Sequence, residues 1–217
     1  MRNEVTGAIL REKIIAIVRG VDKARLIPLA QALYDGGIRL MEITYSPDGS
    51  VSDAATAEYI RMLGEHFAGR MYIGAGTVLT DRQVELTKNA GGMFIISPNT
   101  DESVIKATRQ AKMVSIPGAM TPTEAVCAHD AGADFVKLFP ASSMGPGYVR
   151  AIKAPLAHIK LLAVGGIDEN NMAEYLRAGI CGFGVGSNII KKPLVDAGDY
   201  EGITRLAKKY ISALEVN

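Results

Sequence analysis

Apolar, β-branched runs alternate with helical-period segments along the whole chain. The runs are KIIAIVRG from Lys13, IRLMEIT from Ile38, MYIGAGTV from Met71, MFIISPN from Met93, KMVSIPGA from Lys112, ADFVKLFP from Ala133, KLLAVGGI from Lys160 and ICGFGVGS from Ile180. Each predicts a buried strand. Between them, DKARLIPLAQALYDGG and TDRQVELTKNAGG space their apolar residues for one face of a helix and carry capping signals at their ends. A weak internal repeat runs through YDGGIRLMEI, KNAGGMFII, HDAGADFVKL and LRAGICGFGV, each a helix end, a left-handed glycine and a strand. Strand, helix, strand at βαβ spacing gives parallel pairing, and eight such units predict a closed (β/α)₈ barrel. An open doubly wound sheet is the alternative. Against it, the first strand–helix junction, IVRGVDKARL, lacks the glycine spacing of a dinucleotide site. The first dozen residues predict a helix across the barrel bottom. With no linker or low-complexity stretch, residues 1–217 read as one domain.

Composition narrows the function classes. Charged residues make up 22% with a formal net charge of +1, so neither a nucleic-acid-binding surface nor a disordered tail is indicated. MRNEVTGAILREK never reaches an apolar run of signal-peptide length, and no window approaches a membrane span. Cys127 and Cys181 stand alone, as suits a reducing, cytoplasmic setting, and His66, His129 and His158 lack metal-ligand spacing. The expectation is a metal-free cytoplasmic protein with no nucleic acid or membrane partner.

Barrel strands are apolar on both faces, so a charge inside one needs a reason. In ADFVKLFP, alternation puts Phe135, Lys137 and Phe139 on one face and Val136 and Leu138 on the other. With the aliphatic pair against the helices, Lys137 points into the barrel. Desolvation there favours the free amine, the form that attacks a ketone. In RLMEIT the same logic turns Leu40, Glu42 and Thr44 inward. These are the sixth and second strands, which feed one interior layer, so Glu42 and Lys137 can meet near the C-terminal mouth. A buried ion pair without chemistry is the plainer alternative, but it is costly to desolvate and poor at stabilising a fold.

Two glycine-rich ends, VGGIDENN from Val164 and GVGSNIIKK from Gly184, close the seventh and eighth strands and run directly into helical segments, whose dipoles favour negative charge. Glycine lets backbone N–H groups approach an anion, and in barrels this is the usual phosphate position. Gly165, Gly166, Gly186 and Ser187 are the candidate phosphate residues. Arg19 at the first strand end could clamp a carboxylate, and Thr77 and Ser97-Pro98-Asn99 supply polar groups at the third and fourth.

Taken in order, IVRG, MEIT, GAGTV, ISPN, FVKLFPA, AVGGI and GVGS resemble the 2-keto-3-deoxy-6-phosphogluconate aldolase family over nearly the whole chain. The resemblance implies a class I aldolase barrel without cofactor or metal, commonly a homotrimer, acting on a small 2-keto acid and a phosphorylated aldehyde. It matches Lys137 to the Schiff-base lysine and Glu42 to the acid/base glutamate. It also places Thr77 and Pro98 in the pyruvate pocket, Phe139 beside the lysine, and Gly166 and Ser187 at the phosphate. One position departs: where the gluconate-type pattern has an arginine two residues after the threonine of MEIT, this chain has Ser46. There, and in SPN, GPGYVRAIK and AVGGI, it is more similar to the 2-keto-3-deoxy-6-phosphogalactonate branch. Other uses of such a barrel are 4-hydroxy-2-oxoglutarate cleavage, phosphosugar isomerisation or epimerisation, and noncatalytic sensing.

Overall fold

The computed structural model describes residues 1–215, and Val216 and Asn217 lie outside the described residues. Strands β1 (Ile14–Val18), β2 (Leu40–Thr44), β3 (Tyr72–Gly76), β4 (Phe94–Ile96), β5 (Val114–Ile116), β6 (Gly118–Ala119), β7 (Val136–Leu138), β8 (Leu161–Val164) and β9 (Gly182–Val185) form one sheet of parallel neighbours, in the order β5-β4-β3-β2-β1-β9-β8-β7-β6. Its two ends, β5 and β6, are consecutive in the chain and separated by Pro117 alone, so the sheet curls round on itself. The single fifth strand expected from KMVSIPGA is thus two short ones. Proline has no N–H for the ladder, so β5 pairs with β4, β6 pairs with β7, and the Pro117 carbonyl accepts from the Lys137 N–H at 2.8 Å.

The crossovers are helical: α1 (Arg2–Glu12), α2 (Lys23–Asp35), α3 (Asp53–His66), α4 (Asp81–Asn89), α5 (Glu102–Gln110), α6 (Pro122–Asp130), α7 (Ala141–Lys153), α8 (Met172–Arg177), α9 (Lys192–Ala197) and α10 (Tyr200–Glu215). Their caps follow from sequence. Ser52, Thr80, Asp101 and Thr121 each accept a backbone N–H of the first turn, and Thr121 with Glu124 closes a full capping box. The four glycines of the repeat, Gly37, Gly91, Gly132 and Gly179, have φ between 82° and 106°, conformations a Cβ disfavours. No helix among the described residues is long and apolar enough to cross a membrane.

The two faces of the strands supply two apolar clusters. Met41, Ile43, Val136 and Leu138 join the larger one, packed against the helices, while Ile15, Leu40, Phe94, Phe135 and Leu162 fill the barrel interior. Alternation in MEIT and FVKL therefore faces as the sequence predicts. Val5 and Ile9 of α1 belong to the interior cluster, so the first helix plugs the bottom. Its start is tied there by Arg2, which with Arg109 engages the nearly buried Asp134, whose carboxylate also accepts from the Ser115 N–H at 3.0 Å. A plug of apolar side chains below leaves the polar interior layer at the opposite end.

Candidate active site

Glu42 follows Leu40 by two residues and Lys137 follows Phe135 by two, which lifts both charges one layer above the interior plug, toward the C-terminal ends of the strands. The other candidates lie just past those ends: Arg19 after β1, Thr77 after β3, Pro98 after β4, Phe139 after β7, Gly165 and Gly166 after β8, and Gly186 and Ser187 after β9. All ten line one cavity of about 240 Å³.

Within it, Glu42 is only 2% exposed and Lys137 only 7%. Burial pushes the Glu42 carboxyl up to about 7, against the opposing pull of the Lys137 and Arg19 charges. Burial also lowers the Lys137 pKa; the Glu42 carboxylate works the other way and the Arg19 cation adds to the lowering. Among the described residues no ion pair within 4.0 Å joins them, and Glu42 Oε2 has no hydrogen-bond partner. The two groups thus line one cavity without being locked in an ion pair. Space for the carboxylate is made by glycine: a Cβ on Gly76 would lie 2.0 Å from Glu42 Oε1. The Lys137 ammonium sits 4.8 Å from the centroid of the Phe139 ring, an apolar wall that deepens its desolvation.

Opposite them, Arg19 Nη2 donates to Thr77 Oγ1 at 2.9 Å. Thr77 has φ 55°, a left-handed conformation that costs a threonine on the order of 1 kcal/mol or more and is held by its neighbours. The N–H of Val78 bonds to the Ile96 carbonyl at 3.2 Å, and that of Leu79 to Gln83 Oε1 at 2.8 Å. Ser46 is partly buried and lines a separate small cavity beneath Gly20 and Val21. Thr44, expected inward beside Glu42, lines that same small cavity; at the end of its strand it donates instead to the Val18 carbonyl at 3.3 Å. Ser97 and Asn99 do not line the reaction cavity, whereas their neighbour Pro98 does.

The glycine cup differs in one respect from expectation. Helices α8 and α9 begin only at Met172 and Lys192, and each has six residues, so no helix end abuts the glycines directly. Loop residues line this part of the cavity in their place. Gly165 and Gly166 both have positive φ, 94° and 71°. A single turn, in which the Ile189 and Ile190 N–H groups bond to the Gly186 carbonyl, covers the other side. Asn188 also lines the cavity, and Ser142 lies against Gly166. Neither was expected from sequence, although an asparagine straight after a glycine-serine turn is a usable signal.

A parallel (β/α)₈ barrel with a desolvated lysine, a buried glutamate and glycine-rich loops at its mouth fits a lyase that acts on carbon–carbon bonds. The family model described as KDPG and KHG aldolase matches residues 5–206, and the chain belongs to that family. It is 39% identical over 191 residues to the probable 2-dehydro-3-deoxy-6-phosphogalactonate aldolase of Rhizobium meliloti, covering 88% of this chain and 87% of the relative. Among solved structures, native KDPGal superposes with a TM-score of 0.84 at 32% identity, covering 93% of this chain and 94% of the other. The KDPG aldolase of Legionella pneumophila, with pyruvate captured at low pH as a covalent carbinolamine, does so with a TM-score of 0.84 at 28% identity, covering 94% and 96%.

Proposed function

We propose that this chain is a class I aldolase that cleaves a 2-keto-3-deoxy-6-phospho sugar acid to pyruvate and glyceraldehyde 3-phosphate. The observation that carries it is the convergence of Lys137, Glu42 and the glycine cup on one cavity. Lys137 Nζ attacks the C2 carbonyl, and loss of water leaves an iminium that serves as electron sink. Glu42, acting through water, takes the proton of the C4 hydroxyl. The C3–C4 bond then breaks, its electron pair entering the iminium as an enamine while C4 leaves as the aldehyde. Glu42 returns the proton to C3, and hydrolysis frees pyruvate and the lysine. Gly165, Gly166, Gly186 and Ser187 hold the phosphate, and Pro98 and Phe139 wall the pyruvate end.

Arg19 and Thr77 take the substrate carboxylate. Ser46 faces away from the cavity, whereas the Arg19 guanidinium already reaches into it through its bond to Thr77. A buried carboxylate without a partner is expensive, so one cation must serve. Arg19→Lys keeps the charge and loses the planar fork; we expect it to raise the KM of the keto acid and of pyruvate alike, by about tenfold. Steady-state kinetics check this, and an unchanged KM would remove Arg19 from the carboxylate site.

We further propose a phosphogalactonate-type substrate, in keeping with Ser46 and with the similarity to the Rhizobium meliloti relative. A coupled assay of pyruvate release tests activity and preference together: both C4 epimers are offered, and kcat/KM for the galactonate form should at least equal that for the gluconate form. No pyruvate from either would end the aldolase reading, and a large gluconate preference would end the branch assignment. We place the working enzyme in the cytoplasm as a homotrimer of one catalytic domain, without cofactor or metal.

A further inference from the structure

Three successive carbonyls of the β8–α8 loop are each held by a hydrogen-bond donor. The Gly165 carbonyl accepts from the Ser142 N–H at 3.1 Å, that of Gly166 from Asn171 Nδ2 at 2.9 Å, and that of Ile167 from Asn188 Nδ2 at 2.9 Å. In a trans peptide the C=O of one residue points opposite to the N–H of the next. Fixing the Gly165 and Gly166 carbonyls therefore aims the N–H groups of Gly166 and Ile167 the other way, and among the described residues neither N–H has an acceptor. The same is true of the Ser187 and Asn188 N–H groups, which open the turn on the facing strand end. Asn188 binds across from that turn to Ile167 and so fixes the spacing between the two halves of the cup. Asn171 also accepts from the Asp168 N–H at 3.0 Å, which anchors its amide.

We propose that Asn171 and Asn188 are positioning residues for the phosphate: they hold the Gly166 and Ile167 peptides so that four backbone N–H groups stay turned toward the anion. The proposal rests on the phosphate role assigned above to the glycine cup. Glycines with positive φ reorient cheaply, so without these side-chain ties the loop would populate peptide orientations that present a carbonyl to the anion. The bound form would then be selected from a smaller fraction, which weakens apparent affinity without touching the chemistry at C2.

The test compares a phosphorylated 2-keto-3-deoxy sugar acid with its unphosphorylated analogue in a pyruvate-release assay, alongside competitive inhibition by inorganic phosphate. For Asn188→Ala and Asn171→Ala we expect KM for the phosphorylated substrate and the phosphate inhibition constant to rise about 5- to 20-fold, with kcat nearly constant and the analogue affected far less. Asn188→Leu, which keeps nearly the same size and loses the donor without adding a charge beside the anion, should show the same split if the alanine variant fails to fold. An equal loss on both substrates, or no change on either, overturns the proposal. Ser187→Asp, which places a carboxylate in the cup itself, separates the two readings. If it weakens the phosphorylated substrate selectively while the asparagine variants do not, the positioning role falls and the cup stands; if it too shows no phosphate selectivity, the cup falls and the proposal with it.

Discussion

Lys137→Met is expected to abolish borohydride trapping in the presence of pyruvate and to lower kcat/KM by about 10⁴-fold or more, because among the described residues no other lysine lines the cavity to form the reducible imine. In the unaltered enzyme, borohydride with pyruvate should inactivate irreversibly and add mass to the peptide containing Lys137. The geometry favours this lysine: it is 7% exposed, shares the cavity with Glu42, and burial holds its pKa below the ordinary lysine value. A mass shift on another lysine, or residual trapping in the methionine variant, would overturn the assignment. The thioether replaces the amine at similar length and carries no charge to desolvate, so loss of activity is not expected to reflect loss of the fold. With the cation gone, the Glu42 carboxyl loses one of the two charges that hold its pKa down, and it should titrate higher than about 7.

Glu42→Gln should lower turnover by about 10²- to 10⁴-fold, the usual worth of a positioned acid/base, while leaving pyruvate trapping partly intact. Its effect on the pH profile is more specific. Glu42 must be ionised to accept the C4 hydroxyl proton, and burial raises its pKa from 4.5 to about 7. The kcat/KM of the unaltered enzyme should therefore fall on the acid side of about pH 7, and in the glutamine variant that limb should disappear. Stability runs the opposite way. A folded-state pKa above the unfolded one means that the protonated carboxyl is preferred in the fold; its advantage is complete below about 4.5 and is lost as pH rises through about 7. Glutamine has no such loss, so the variant should gain stability relative to the parent between pH 5 and pH 8, as followed by thermal melts. Full activity in the variant, or an acid limb unaltered in position, would remove Glu42 from proton transfer.

The features legible in the sequence are those set by short-range rules. Strand alternation has a period of two, so the inward aim of Glu42 and Lys137 follows from their immediate neighbours, and the apolar clusters divide as that alternation requires. The repeated glycines mark helix ends because a positive φ is a local demand. Pro117 carried a local signal that the reading of KMVSIPGA as one strand passed over: a residue with no N–H interrupts the ladder, and the interruption is where β5 passes into β6. The family motifs fall along the chain in strand order, so the reaction class was readable as well.

What only the tertiary structure decided are distances between residues remote in sequence and the dielectric around them. That Arg19 reaches Thr77, 58 positions away, while Ser46 faces a different cavity depends on how neighbouring strand ends splay at the barrel mouth. The carboxyl of Glu42 near neutrality is a sum over everything that excludes water from it, in a space left by the absent Cβ of Gly76. The partners of Asn171 and Asn188 could not be read from sequence because an asparagine amide binds whichever carbonyl the fold brings to it; the carbonyl that Asn188 finds, on Ile167, belongs to the neighbouring strand's loop. Local pattern determines which way a side chain points, and the closed barrel determines what it points at.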